Sequence, residues 1–165
     1  MKILSLQVLA FSLLIVASSC KKDDDPEPST PSNREQLSGT WELTDLDANG
    51  VISFGGQSIP FVTTNAVIDP GSYFDFDMNP DEVDYDASAT VTVSAIQEFD
   101  IPYQQAGQGT WELQGRDSLF ITEDGRTTRY GILSWNDTRM ILRSKQEIDF
   151  NGQSFNATIE AVIER

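Results

Sequence analysis

The amino-acid sequence predicts an all-β domain in which an antiparallel up-and-down meander closes into a β-barrel of about eight to ten strands. From about residue 37 onward, short segments alternate between apolar and polar residues, which is the pattern of half-buried strands. Turns of two to four residues separate many of these segments, so successive strands are expected to pair antiparallel. No amphipathic stretch predicts a substantial helix. Closure removes the exposed edges of a meander, which favours a barrel over a β-sandwich, the second possibility.

The first half of the domain begins with at most one helical turn at residues 34–37. The segment 40–46 alternates, with Trp41 and Leu43 on one face. Asn49-Gly50 fits a type I′ hairpin turn, because both central positions of that turn need positive φ. Further strands are predicted at 51–54, 59–68, 72–77 and 89–96, with breaks at Gly55-Gly56, at Asp69-Pro70-Gly71 and in an acidic loop at 78–87.

In the second half, strands follow one another closely after a Gln- and Gly-containing loop predicted at 98–107. They are predicted at 109–113, 118–122, 127–135, 139–148 and 154–164. The connections are Gln114-Gly115-Arg116, Glu123-Asp124-Gly125, Asn136-Asp137 and Asn151-Gly152. These short turns predict hairpins.

The beginning of the chain has the pattern of a targeting segment. Lys2 precedes an apolar run from Ile3 to Ala17, which is too short for a membrane span and typical of a secretory signal. Small residues then lead to Cys20, the only cysteine, which therefore cannot form an internal disulfide. The segment resembles a bacterial lipoprotein signal, in which the lipobox cysteine is acylated and becomes the first residue. The alternative is an ordinary secretory signal with a free thiol.

Three charged residues after this cysteine, Lys22, Asp23 and Asp24, resemble the export signal of surface lipoproteins of the Bacteroidetes. The alternative is a solvated charge run in a tether. Together these resemblances imply a signal peptide at 1–19, an acyl anchor such as palmitate on Cys20 and a disordered acidic, Pro-rich tether at 20–36. They also imply display on the outer membrane, with the folded domain at 37–165.

Composition restricts the function classes. The formal net charge of −15 argues against nucleic acid as a partner, because a surface this negative repels polyanions. The chain has no histidine, which removes the commonest general base and the commonest metal ligand. An enzyme would have to use carboxylates alone, and no pair of carboxylates is singled out by the sequence. We therefore expect a protein that is not an enzyme and that needs no cofactor.

Gly39-Thr40-Trp41 resembles the Gly-x-Trp motif of lipocalins, and residues 130–142 resemble lipocalin-like lipoproteins of the Bacteroidetes. This resemblance implies a lipocalin-like (calycin) barrel with a cavity for a small apolar molecule. In lipocalins, the tryptophan plugs the closed end and an arginine of a late strand covers it. Trp41 is the matching tryptophan, while Arg143 and Arg165 both remain candidates for the arginine. The lipocalin disulfide is absent.

Six large apolar side chains are candidate ligand contacts in such a barrel. They are Trp41, Leu43, Phe74, Phe76, Trp111 and Trp135. The competing interpretation is that they fill the barrel, since small barrels are packed with side chains and aromatic residues mostly belong to the core.

The acidic stretch after the Phe74 region offers a candidate calcium site. Oxygen ligands at alternate positions suit Ca²⁺, and Asp75, Asp77, Asn79 and Asp81 have the spacing of positions 1, 3, 5 and 7 of a calcium loop. Pro80, however, stands where that loop needs glycine. The alternative is a strand with an acidic outward face that continues into a solvated loop.

The leading functional prediction is a lipid-anchored envelope protein that binds or sequesters a small apolar ligand. The alternative is an interaction or structural module, a filled barrel that presents its loops to a protein partner in an outer-membrane complex. A hydrolase that uses two carboxylates is the third possibility.

Overall fold

The structure, a computed structural model, describes residues 32–150 and 153–165. This part of the chain contains one short helix and nine strands. They are α1 (Asn33–Leu37), β1 (Gly39–Phe54), β2 (Gln57–Ile68), β3 (Tyr73–Phe76), β4 (Glu82–Ser94), β5 (Glu98–Gln114), β6 (Ser118–Glu123), β7 (Arg126–Trp135), β8 (Arg139–Phe150) and β9 (Gln153–Glu164). Within the same residues, no helix has the length and apolar character needed to cross a membrane.

The strands form a closed antiparallel ring, which confirms the predicted fold class. From β3 to β9 each strand pairs with the next, and β9 pairs with β1 to close the ring. β2 and β3 share one position, because both lie between β1 and β4: β3 pairs with the beginning of β1 and β2 with its end. The nine strands therefore fill eight positions around the barrel.

Period-two alternation decides which side chains enter the barrel. In β4 every second residue from Val83 to Val93 is buried, while the residues between them are exposed or half-buried. In β1 a bulge between Leu43 and Asp45 shifts the register, so that Leu46 takes the next inward position. Buried side chains from the strands and from α1 pack into one core inside the ring.

The Asn49-Gly50 hairpin prediction is wrong. Both residues lie inside β1 and pair with β2 on one side and with β9 on the other. A Cβ on Gly50 would lie 2.8 Å from the Phe61 ring and 2.5 Å from the Asn156 carbonyl oxygen, so glycine serves close packing here. The actual turn is at Gly55-Gly56, whose φ values are +57° and +80°. Pairing on both edges of β1 overrides the local turn signal.

The two long loops predicted at 78–87 and 98–107 are also largely wrong. β4 begins at Glu82 and β5 at Glu98, and these strands pair continuously from Glu82–Thr110 to Ser94–Glu98. The acidic side chains at the start of β4 alternate with buried Val83 and Tyr85. Their charge suggested a loop, but charged residues are tolerated on the outer face of a strand whose other face is buried.

Trp41 and Arg165 close one end of the barrel, together with α1. Trp41 is fully buried, and its Nε1 donates a hydrogen bond of 2.7 Å to the Leu37 carbonyl oxygen. The guanidinium carbon of Arg165 lies 4.3 Å from the centre of the Trp41 ring. Arg143 instead pairs with Glu160 on the outer surface. The structure therefore selects Arg165 as the arginine that covers Trp41, and we call this end of the barrel the plugged end.

Candidate functional site

Five of the six side chains predicted as ligand contacts belong to the buried core of the barrel. Trp41, Leu43, Phe74, Phe76 and Trp111 are all 5% exposed or less. The Phe76 and Trp111 rings meet edge to face at 6.0 Å, and Phe74 stacks beside Phe76 at 6.3 Å. Trp111 Nε1 donates to the Asp77 carbonyl oxygen at 2.8 Å. These contacts give the five side chains a role in filling the barrel, whereas ligand contact by them stays a prediction.

Trp135 lies at the end of β7 and packs against the edge of the same core. It is half-buried, and the guanidinium carbon of Arg116 lies 5.1 Å from the centre of its ring. Among the described residues, its Nε1 is the one buried side-chain polar atom that has no hydrogen-bond partner. Trp135 therefore sits at the margin of the core that contains the other five predicted side chains.

The four predicted calcium ligands are not gathered into one site. Asp75 accepts a hydrogen bond of 3.0 Å from the Thr40 hydroxyl, and Asp81 pairs with Arg34. Asp77 and Asn79 are exposed. Across residues 32–150 and 153–165, no group of three or more acidic, cysteine or histidine side chains could hold a metal ion.

Four further predicted residues, Cys20, Lys22, Asp23 and Asp24, lie outside the described residues.

A set of polar side chains lines the interior of the barrel away from the plugged end. We call it the inner polar cluster, and it consists of Tyr85, Tyr103, Gln105, Glu123, Tyr130 and Gln146. Its members come from β4, β5, β6, β7 and β8, at inward positions of their strands. Buried or half-buried polar groups at such positions need partners, because an unpaired polar group in an apolar interior is costly.

One part of the cluster is a chain of hydrogen bonds between β5 and β8. The Tyr103 hydroxyl donates to Gln105 Oε1 at 2.8 Å, and Gln105 Nε2 donates to Gln146 Oε1 at 2.8 Å. Gln146 Nε2 donates in turn to the Ser144 hydroxyl at 2.9 Å. These bonds connect two strands that are not neighbours in the ring.

The short hairpin of β6 and β7 explains why β5 and β8 meet. β6 pairs with β5 only over Thr110–Gln114, and β7 pairs with β8 only over Met140–Arg143. Both longer strands continue beyond the hairpin, away from the plugged end. The amide–amide bond between Gln105 and Gln146 therefore connects the barrel wall across the gap that the short hairpin leaves.

The other part of the cluster lines a cavity of about 570 Å³ beside this hairpin. The Tyr85 hydroxyl donates a hydrogen bond of 2.7 Å to Glu123 Oε2. Glu123 lies against Gly107, where a Cβ would come within 1.9 Å of Glu123 Oε1. Residues of the hairpin complete the lining, which consists of Tyr85, Ile121, Glu123, Asp124, Arg126, Thr128 and Tyr130.

The tyrosines of the cluster remain protonated at neutral pH. Burial, and secondly the nearby Glu123 carboxylate, raise the pKa of Tyr130 to about 12. Burial and the hydrogen bond to Glu123 raise the pKa of Tyr85, and burial also raises that of Tyr103. The cavity therefore presents neutral tyrosine hydroxyl groups next to the Glu123 carboxyl group, with Asp124 and Arg126 also in its lining. This arrangement can hydrogen-bond the polar end of a small molecule and place it beside two aromatic rings.

Sequence reasoning missed this cluster. Residues 103 and 105 fall in the segment that was predicted to be a loop, so they had no assigned face. The available signal was the alternation within β5, where every second residue from Ile101 to Leu113 is buried or half-buried.

Comparison with known proteins identifies the fold family. The lipocalin-like domain family matches residues 37–142. Among solved structures, bovine odorant binding protein in complex with a selenium-containing odorant is 15% identical, with a TM-score of 0.38, covering 84% of this chain and 76% of that chain. The complex of the same bovine protein with undecanal is 16% identical, with a TM-score of 0.37, covering 84% and 77%. None of the curated proteins matches. The family match extends over more than half of the sequence, and the chain therefore belongs to the lipocalin-like domain family.

Proposed function

We propose that this protein binds or sequesters a small, largely apolar molecule inside its barrel, at the cell envelope. The cavity of about 570 Å³ beside the β6–β7 hairpin carries this proposal. Its volume falls within the range of about 300–1,000 Å³ that is usual for small-molecule sites. Its lining combines Ile121 and the rings of Tyr85 and Tyr130 with charged and polar side chains. The plugged end, filled by Trp41 and its neighbours, supports entry from the other side.

The envelope location rests on the sequence. The signal at 1–19, the single Cys20 and the acidic, Pro-rich segment that follows it before α1 support a lipid-anchored barrel. Lys22, Asp23 and Asp24 support display on the surface of the outer membrane of a Bacteroidetes-like cell. Mass spectrometry of the mature N-terminus tests this part: we expect an acylated Cys20 as the first residue. An intact Met1 or an unmodified cysteine would contradict it.

Native mass spectrometry of the full-length protein, purified from a related host and followed by solvent extraction, tests the binding function. We expect a reproducible additional mass that the extraction releases as a small molecule. A chain that carries no additional mass, and that also takes up none of a panel of lipids and other apolar compounds, would contradict the proposal.

A second candidate function is docking to a protein partner in an outer-membrane complex. The supporting observation is that apolar side chains are exposed on β2 and on the hairpin between β4 and β5: Val62 is 55% exposed, Val67 57% and Ile96 78%. A photo-crosslinking residue at position 96 tests it in intact cells. Capture of one defined envelope protein, lost when Val62 and Val67 are changed to Ser, would favour docking over ligand binding.

A further inference from the structure

Glu123 brings a carboxylate to the inner face of the barrel wall. It is half-buried and lies at the end of β6, between the Tyr85 ring and the backbone of Gly107. The ion pairs formed by residues 32–150 and 153–165 are Arg34–Asp81, Arg139–Glu164 and Arg143–Glu160, so Glu123 has no cationic partner among them. A carboxylate offers about four acceptor sites, and the hydrogen bond from Tyr85 occupies one of them. The rest of its acceptor capacity is available to a ligand.

Tyr130 adds a second polar group to the same cavity. The residue is only 7% exposed, and its side chain lines the cavity together with Glu123. The raised pKa of Tyr130 keeps its hydroxyl neutral, so it can accept a hydrogen bond as well as donate one.

The charge of the site decides what kind of polar group fits. An anionic head group would be repelled by Glu123, with Asp124 adding to the negative charge at the rim. Arg126 also lines the cavity, but it is exposed at the first position of β7, whereas Glu123 is half-buried. A cation placed deeper in the cavity would lie near the carboxylate and the tyrosine rings, and carboxylates and aromatic rings both attract an ammonium group.

We propose that the inner polar cluster binds the ammonium head of an amphiphilic amine, with Glu123 as the counter-ion and Tyr85 and Tyr130 as its aromatic walls. The apolar chain of the amine lies against Ile121 and the neighbouring interior of the barrel. This inference rests on the proposed function, to which it adds the chemical class of the ligand.

Three ligands of equal chain length test the proposal: octylammonium, octanol and octanoate. Isothermal titration calorimetry on the purified full-length protein measures their dissociation constants. We expect octylammonium to bind about tenfold more tightly than octanol, which is the usual gain from a hydrogen-bonded charge partner. Octanoate should bind most weakly.

Glu123→Gln removes the charge but keeps a side chain of the same shape that can accept the Tyr85 hydrogen bond. In this variant octylammonium and octanol should bind within about twofold of each other, because the charge partner of the ammonium group is gone. Glu112→Gln is the matched control, because Glu112 is exposed on β5 and its loss changes the net charge equally. This control should keep the full preference for octylammonium.

The outcomes separate this inference from the function on which it rests. If none of the three ligands binds the wild-type protein, the proposed function fails and the inference fails with it. If octanol or octanoate binds as tightly as octylammonium, only the inference is overturned. The order of affinities in the wild-type protein decides this even if Glu123→Gln does not fold, and an unchanged preference in folded Glu123→Gln would also overturn it.

Discussion

At the scale of single residues, Arg165 holds three parts of the chain together. Its Nε donates to the Asp137 carbonyl oxygen at 2.8 Å, Nη1 to that of Ser38 at 3.0 Å and Nη2 to that of Gln36 at 2.9 Å. The planar fork that makes these bonds also lies over the Trp41 ring. One side chain thus joins the end of the chain to the beginning of the barrel and to the turn between β7 and β8.

Arg165→Met should therefore lower the free energy of unfolding by about 2 kcal/mol, through the loss of three hydrogen bonds and a cation–π contact at an exposed site. Arg143→Met is the control, because that arginine makes an exposed ion pair with Glu160, which contributes about 1 kcal/mol or less. Urea denaturation of both variants measures the difference. If both substitutions lowered the free energy of unfolding equally, Arg165 would stabilise the protein no more than an ordinary exposed ion pair does.

The tyrosines of the inner polar cluster should make stability depend on alkaline pH. Below about pH 10 the folded and unfolded chains both keep the Tyr130 proton, so its contribution is fully present. Between pH 10 and a folded-state pKa of about 12, only the unfolded chain loses that proton. The free energy of unfolding should fall by roughly 2 to 3 kcal/mol over this range from Tyr130 alone.

Denaturation at a series of pH values from about 9 to 12 measures this slope, with Tyr130→Phe as the comparison. In Tyr130→Phe the free energy of unfolding should fall less steeply with pH, by the contribution of about one ionising group. The raised pKa values of Tyr85 and Tyr103 account for the slope that remains. An identical slope in both proteins would mean that the Tyr130 hydroxyl is not buried beside Glu123.

At the scale of elements, β5 shows how glycine permits two different close approaches. A Cβ on Gly109 would lie 2.3 Å from the Thr122 carbonyl oxygen, which belongs to the backbone of β6. A Cβ on Gly107 would meet the end of the Glu123 side chain instead. The Thr122 carbonyl oxygen is held in place by strand pairing, whereas the Glu123 side chain can rotate away. The two glycines therefore serve different purposes within one strand.

Gly109→Ala should destabilise the protein by about 1–3 kcal/mol, because the backbone of β6 has to shift. Gly107→Ala should cost clearly less stability, but it should displace the Glu123 carboxylate and reduce octylammonium binding severalfold. Thermal unfolding and calorimetric titration of both variants measure the two effects. If Gly107→Ala were less stable than Gly109→Ala, or if it bound octylammonium as tightly as the wild type does, these different roles of the two glycines would be contradicted.

At the scale of the whole molecule, excess negative charge opposes compaction. Residues 32–165 contain 22 acidic and 8 basic side chains, so this part has a formal charge of 8 − 22 = −14. The ion pairs among its described residues are exposed and few, and they neutralise little of this charge. Repulsion between like charges favours the unfolded chain, in which they are further apart.

Salt should therefore stabilise the protein. Raising the ionic strength from about 0.01 M to about 0.15 M shortens the Debye length from about 30 Å to about 8 Å, which screens repulsion across the barrel surface. We expect Tm to rise by about 3 °C or more, measured by differential scanning calorimetry at pH 7. A Tm that falls with added salt would show that attractive ion pairs outweigh the repulsion.

The sequence alone determined the class of the fold. Period-two alternation assigned the inward faces of the later strands, and their tight turns made antiparallel pairing the expected arrangement. The Gly-x-Trp motif placed Trp41 at the plugged end, where the structure also has it. These features are local, because each depends on residues that are close together along the chain.

Only the tertiary structure decided which distant residues meet. Asn49-Gly50 became part of a strand because β2 and β9 pair with it on both sides. Arg165 rather than Arg143 covers Trp41, because the register of β9 brings the end of the chain beside the beginning of β1. The inner polar cluster formed because closure of the ring turns five strands toward a common interior. The pairing of segments far apart in sequence sets these contacts, and local patterns carry no information about it.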